Sequence, residues 1–239
     1  MIPRQSLDPS LQTQTGKAVG DMFGRIAPVY DLLNRCLSLG LDISWRKALV
    51  QAAAPPSGGR VLDLAAGTLD VAAMLQASRP RLSVLAADIS LPMLMRGRSK
   101  NRQGKILPLG ADARRLPLPD ASVDRVTIAF GLRNIRPREN AYAEIQRVLT
   151  PGGRLCILEF GSGGQRILGG LYNLYLTRFL PALGRLISRD RQAYTYLART
   201  ICEFPTAPAL EAEMRTAGFS WVTGLPLSSG IVWLHTAGV

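Results

Sequence analysis

The chain has 239 residues, 47% of them hydrophobic, enough for one α/β domain with a large core and incompatible with a disordered chain. Its formal net charge is +12, with 25 Arg and 4 Lys against 17 acidic residues. A basic balance suits nucleic acid, acidic substrates or an anionic membrane surface, and an arginine bias also arises from genome composition alone. Cys36, Cys156 and Cys202 lie far apart without metal-type spacing, which fits a reduced, cytoplasmic setting and predicts no metal site. The polar N-terminus lacks a signal-peptide core, and no run of about 18 apolar residues predicts a transmembrane helix.

In chain order, residues 1–18 read as a flexible arm. Residues 21–54 are amphipathic and predict two or three short helices, the last over about 44–54. Pro28 and Gly40 break this stretch and Pro55-Pro56 stops it, so residues 19–55 read either as a lid or as a plain helical cap on a sheet. Strand and helix patterns then alternate. Strands are predicted over 60–65, 82–87, 106–110, 122–130 and 154–160, and helices over 68–77, 92–101 and 138–149, with a turn signal at 150–153. Such alternation implies a parallel sheet with right-handed crossovers. An aliphatic and aromatic insertion follows within 163–206, broken at Pro181 and helical again over 194–201. A helix over 209–217, capped by Gly218, leads to strands over 220–226 and 230–236. This ending predicts one antiparallel strand at the sheet edge. No internal repeat or second domain is evident, so residues 19–239 read as a single domain.

The stretch VLDLAAGTLD, residues 61–70, passes from strand through a small-residue turn into a helix. Small residues let backbone approach a ligand closely, and amides at a helix start favour anionic or polar groups. Asp88 ends the next apolar run, about 20 residues on, where a carboxylate of a Rossmann-like unit grips ribose hydroxyls. Residues 63–68, Asp88, Asp112 and residues 130–134 all fall at predicted carboxyl ends of strands, where ligands bind in such sheets. That convergence argues for one site.

These residues resemble the S-adenosylmethionine-dependent class I methyltransferases, and among them the ubiquinone/menaquinone biosynthesis C-methyltransferases. The resemblance covers about residues 20–237. Its generic motifs are VLDLAAGTLD, the acid of AADIS, GADARRLPLPD and RVLTPGGRL. Its specific ones are IAPVYDLLNRCLSLGLDISWR, FGLRNI, ILEF, the LYxxYLxxxLPxLGxLISxDxxAYxYLxxTIxxFP pattern of residues 171–205, and SSGIVWLH. The resemblance implies a Rossmann-like seven-stranded sheet, mostly parallel with one antiparallel edge strand, helices on both faces and a helical insertion after strand 5. It implies S-adenosyl-L-methionine as cofactor and a polyprenyl quinol as substrate, with methyl transfer to a ring carbon. Naphthoquinol and benzoquinol remain open, with demethylmenaquinol favoured.

The resemblance further implies that Thr68 contacts the methionine end of the cofactor, Asp88 the ribose, and Asp112-Ala113 the adenine. Asp63 and Gly67 complete the expected cofactor set. A carboxylate facing a diol and another facing an amino edge make a sound nucleoside clamp; the bland reading of Asp112 is a turn cap. Catalytic candidates are Arg133 and Asn134 of FGLRN and Tyr30 of the lid. Arg133 is a poor base, so its expected role is to stabilise phenolate charge or polarise a water, against a plain ion pair. Tyr30 is expected to hydrogen-bond the ring oxygen, against core packing. Asp190 and Tyr194 match family positions of undefined role, and His235 reads as structural. Leu168, Leu171, Leu174, Tyr175, Phe179 and Leu183 are expected to line a groove for the prenyl tail, with Arg166, Arg178 and Arg185 facing lipid head groups, against a plain core-covering helix pair.

Three departures stand out: Leu69 and Ala66 replace glycines of the family turn, and Ala129 replaces a serine. A positive φ at Leu69 would weaken cofactor binding. These departures keep open a non-catalytic scaffold in a quinone-synthesis complex. The charge keeps open a nucleic-acid methyltransferase, although the place after the fourth strand holds AFGLRN and nucleic acid is not the expected partner. Contact with the inner membrane surface or with other quinone-biosynthesis enzymes, and a homodimer, complete the expectations.

Overall fold

A computed structural model of the chain describes residues 16–161 and 191–239. The elements are α1 (Gly16–Ile26), α2 (Tyr30–Ser38), α3 (Leu41–Ala53), β1 (Arg60–Leu64), α4 (Asp70–Ser78), β2 (Ser83–Asp88), α5 (Leu91–Gly97), β3 (Ile106–Gly110), β4 (Val123–Ala129), α6 (Arg138–Val148) and β5 (Leu149–Phe160). After the undescribed stretch come α7 (Arg191–Cys202), α8 (Ala207–Thr216), β6 (Trp221–Leu227) and β7 (Val232–Gly238). One seven-stranded sheet runs in the order β3-β2-β1-β4-β5-β7-β6. Strands β1 to β5 pair in parallel. The antiparallel strand is β7, which inserts between β5 and the outermost strand β6.

Alternation along the strands explains why both faces are covered. Leu62 and Leu64 enter one core with Ile128, Ile145, Ile157 and Leu210, under α6 and α8. Val61 enters the other with Leu49, Val71, Leu75 and Leu158, under α3 and α4. Successive side chains of a strand point to opposite faces, so a strand covered on both reads as a near-continuous apolar run. Each such buried aliphatic side chain contributes about 1.5–3 kcal/mol. Parity also places Asp63 on the same face as Val61, beneath the start of α4.

Several boundaries differ from expectation for local reasons. Residues 16–18, read as arm, are the first turn of α1. Helix α4 begins at Asp70 because Leu69 is left-handed, with φ +66°. Helix α5 ends at Gly97, whose backbone presses on the Thr68–Leu69 turn: a Cβ there would lie 2.7 Å from the Thr68 carbonyl oxygen. The turn expected at residues 150–153 is absorbed into β5, with Leu149 opposite Val123, a register shift beyond it and Gly152 at φ +73°. The expected arm up to residue 15, and the proposed groove within residues 166–187, together with Asp190, lie outside the described residues. Among the described residues, no helix is long and apolar enough to cross a membrane.

His235 sits on β7, 2% exposed, with its ring 6.1 Å from that of Trp233. Burial lowers its pKa from the ordinary 6.5, against a smaller opposing pull from Glu211. The unfolded chain therefore takes up this proton at a higher pH than the folded one. Stability should fall as pH drops through 6.5, with a slope of up to about 1.4 kcal/mol per pH unit from this residue. Denaturant titrations of the native chain and of His235→Leu should differ by that slope; equal slopes would show that His235 does not carry it.

Candidate active site

The carboxyl ends of β1, β2 and β4 open into a cleft with about 780 Å³ of empty space, lined among others by Tyr30, Gly67, Asp88, Asp112, Ala113, Phe130 and Asn134. A smaller chamber of about 300 Å³ adjoins it, lined by Arg46, Asp63, Thr68 and Asp70. Tyr30, Ala65, Gly67 and Ala129 border both and mark the junction. The cleft lies where the sheet order reverses, with β2 on one side of β1 and β4 on the other; crevices at such switch points are ligand sites in α/β sheets.

The turn between β1 and α4 is held from beneath. Asp63, 1% exposed, accepts the Ala72 amide (3.1 Å) and the Thr127 hydroxyl (2.8 Å). Burial is the largest influence on its carboxyl and outweighs those hydrogen bonds, pushing the pKa up to about 7. Asp88 accepts the amides of Gly67 (2.8 Å) and Ser90 (2.7 Å), fixing the turn to the end of β2. Burial holds its carboxyl above the ordinary range, against those same amides. Ala65 (φ +55°), Gly67 (φ +53°), Leu69 (φ +66°) and Phe130 (φ +57°) all take left-handed backbone around the cleft. Three of these four are not glycine, and such strain collects at functional sites.

Leu69 thus has the positive φ that sequence reasoning flagged. Its side chain, however, is fully buried in the core beneath α4 and lines neither chamber. Its bulk points into the core and away from the cleft. Ala129 lies at the junction, where a family serine would add a hydroxyl. Ala66 lines the small chamber and donates its amide to the Ala87 carbonyl (3.1 Å).

The other candidates are distributed unevenly. Asp112 is on the cleft wall, but Arg114 grips it from Nε (3.0 Å) and Nη2 (2.6 Å) and through its backbone amide (2.9 Å). The Arg114 contacts hold the Asp112 carboxyl below its ordinary pKa. Thr68 is buried and gives its hydroxyl proton to Asp31 (2.5 Å). Asn134 lines the cleft, and its buried Oδ1 has no hydrogen-bond partner among the described residues. Arg133 lines neither chamber. Its guanidinium is 4% exposed, pairs with Glu159 (2.8 Å), donates to the Phe130 carbonyl and lies 5.5 Å from the Phe160 ring centre. The expected direct role at a phenolate is therefore not where the structure puts this side chain; it braces the Phe130–Asn134 loop instead.

Sequence reasoning missed Asp31, Arg46, Lys100 and Glu159. Lys100 pairs with Asp31 and Asp70 at 2.6 Å each and reaches the Thr68 hydroxyl at 3.1 Å. Burial works to raise the Asp31 pKa, but Lys100 and Thr68 together bring it below the ordinary value. Glu159 carried a signal, an acid inside the apolar run ILEF. Arg46 carried one too, a cation on the face of α3 that buries Trp45 and Leu49; nothing in the spacing of Asp31 and Lys100 marks them.

The cleft and its side chamber fit a nucleoside with a zwitterionic tail. A half-buried, amide-bound carboxylate faces the cleft at Asp88, close backbone approach is available at Gly67, and the small chamber carries both acids and a cation.

The sequence model of the ubiE/COQ5 methyltransferase family matches residues 11–238. The demethylmenaquinone methyltransferase of Thermus thermophilus is 46% identical over 216 residues, covering 90% of this chain and 98% of that one. The protein of the same name from Deinococcus radiodurans is 45% identical, covering 85% and 86%. A ubiquinone/menaquinone biosynthesis C-methyltransferase of Syntrophotalea carbinolica is 43% identical, covering 92% and 94%. Among solved structures, a SAM-dependent methyltransferase of Thermotoga maritima superposes with a TM-score of 0.66 at 19% identity, covering 91% and 98%. A Haemonchus contortus phosphoethanolamine N-methyltransferase in complex with S-adenosyl-L-methionine superposes at 0.61 and 15% identity, covering 81% and 51%. At these identities the two structures speak to the fold alone.

Two outcomes follow from the geometry. Asp88→Ala should weaken S-adenosylmethionine binding by about 10- to 100-fold, the scale of a lost charge-assisted hydrogen bond, and calorimetry reads it directly. Undiminished affinity would remove Asp88 from the site. Because Asp63 titrates at about 7, its negative charge appears as pH rises. Affinity for the cationic ligand should therefore increase between about pH 6 and pH 8 and stay flatter in Asp63→Asn; parallel profiles would show that Asp63 does not sense the ligand.

Proposed function

The chain belongs to the ubiE/COQ5 methyltransferase family, and from that premise we propose which of its residues carry the reaction. It is an S-adenosylmethionine-dependent C-methyltransferase of menaquinone or ubiquinone biosynthesis, acting on a ring carbon of a polyprenylated quinol, demethylmenaquinol first among them. The observation that carries the site assignment is the two-chambered cleft at the switch point, with Asp88 and the Gly67 turn on one wall and Tyr30 and Asn134 on another.

Asp88 takes the ribose hydroxyls, residues 112–113 border the adenine, and Gly67, Thr68 and Asp63 surround the methionine end. When bound, S-adenosylmethionine supplies an electrophilic methyl on a sulfonium. The protein's task is then to hold a quinol ring beside the junction and to stabilise negative charge on its oxygen. Tyr30 reaches the junction from α2 and offers a phenolic O–H. Asn134 offers an amide whose oxygen still needs a donor, and a ring hydroxyl is one. Arg133 acts through the loop: with both its backbone amide and its guanidinium tied to Glu159, it keeps Phe130 and Asn134 in place. Phe130 packs against Phe160 at 4.8 Å and Trp45 at 6.2 Å, closing the cleft floor to water.

Helices α1 and α2 serve as the lid, while α3, expected as part of it, is built into the core against the sheet through Leu49 and Ala53. Exposed Leu39 and Leu41 at the α2–α3 corner, with exposed Leu32 near the start of α2, give a lipid-facing edge, supporting peripheral contact with a membrane surface. The protein is placed in the cytoplasm on this reading.

Purified protein given labelled S-adenosylmethionine and demethylmenaquinol should place the label on the ring carbon. Asn134→Ala should lower kcat by about 10- to 100-fold with cofactor affinity unchanged. Tight cofactor binding without transfer to naphthoquinol or benzoquinol would favour a scaffold.

A further inference from the structure

Arg46 is a buried cation with donors to spare. Its side chain is 5% exposed and forms part of the wall of the small chamber. One guanidinium nitrogen donates to Asp42 (3.0 Å), and Nη2 stands 3.7 Å from Asp70, beyond hydrogen-bond reach. Its Nε is buried with no hydrogen-bond partner. A guanidinium has five N–H donors, and a buried donor without a partner is costly, so this arrangement calls for an acceptor from outside the chain.

The neighbouring donors are already used. Lys100 has three ammonium protons and three acceptors, on Asp31, Asp70 and Thr68. Thr68 has one hydroxyl proton and gives it to Asp31. Asp42 remains satisfied without Arg46, since Arg35 and the Ser38 hydroxyl (2.9 Å) also reach it. Arg46 is thus held in place without being consumed. Its guanidinium carbon lies 5.3 Å from the centre of the Phe130 ring, which borders the main cleft.

We propose that Arg46 binds the α-carboxylate of the methionine moiety of S-adenosylmethionine. The proposal rests on the reading of the cleft as the site of that cofactor. An acceptor-only group with two oxygens suits a planar fork of donors, and pairing with an ion roughly doubles the strength of each bond. Asp63 and Asp70, in the same chamber, leave acids for the ammonium on the same carbon.

The test compares binding of S-adenosylmethionine, its decarboxylated analogue and methylthioadenosine, by calorimetry, to the full chain. The native protein should prefer S-adenosylmethionine over the decarboxylated analogue by about 10- to 100-fold. Arg46→Gln should bind the two nearly alike, while its affinity for methylthioadenosine, which has neither carboxylate nor ammonium, stays within about 2-fold of native, within the scatter expected of an uncoupled site. Arg46→Lys should keep part of the preference. Undiminished preference in Arg46→Gln overturns the proposal. If the native protein binds none of the three, the cofactor reading of the cleft fails first. Should Arg46→Gln not fold, Asp42→Asn/Arg46→Gln removes both charges of the pair and carries the same comparison.

Discussion

Asp63 is a carboxylate with almost no water around it, held between the first turn of α4 and strand β4. Helix starts leave amide protons unsatisfied, and one of them, that of Ala72, ends on this carboxylate. The Thr127 hydroxyl supplies the link to β4. Three elements thereby meet at the place where the sheet order reverses. The turn from Ala65 to Leu69 has no freedom to sit elsewhere, because the strand end and the helix start are both pinned to the same side chain. The cleft is the space left in front of that turn.

The turn is strained, and the strain is offset nearby. Left-handed backbone at a non-glycine residue costs about 1–2 kcal/mol. Ala65 and Leu69 both incur that cost in the turn. Leu69 recovers it through a fully buried side chain, at about 1.5–3 kcal/mol. At this position a glycine would relax the backbone and lose the anchor; leucine does the reverse. The residue that departs from the family pattern is therefore compatible with an open cleft, since backbone and side chain solve different problems. Gly67, by contrast, faces the ligand space, and its amide is already committed to Asp88.

Much of this architecture was legible because burial on both sheet faces writes apolar runs directly into the sequence. Strands β1 to β5 and their helices fall near their expected places, and Asp88 marks the end of β2 as its spacing implied. Less legible was anything set by backbone sign or by long-range charge. The start of α4 shifts because Leu69 is left-handed, which no apolar period reveals. Arg133 looked like an active-site cation because FGLRN lies at a strand end; its partner Glu159 is 26 residues away, and only folding shows that the two consume each other. Asp112 reads in sequence as an adenine acceptor or a turn cap; folding adds the Arg114 side chain, which grips it beside the capping amide. The order of β6 and β7 also lay beyond sequence, since two terminal strands can add to an edge in either order.

The α1–α2 pair follows a different energetic rule from the sheet. Its own apolar cluster is small, centred on Met22, Ile26 and Leu33. Its docking to the turn relies on Asp31, which pairs with Lys100 and accepts from Thr68 while its side chain is 37% exposed. Partly exposed pairs of this kind are worth about 0.2–1 kcal/mol each and weaken with salt. The sheet, in contrast, is tied by two cores of fully buried aliphatics. Local opening draws on the least stable contacts first, so α1 and α2 separate from the turn well before the strands part. Tyr30 adjoins Asp31 in sequence, so the contact that ties α2 to the turn also holds the phenol at the junction of the two chambers.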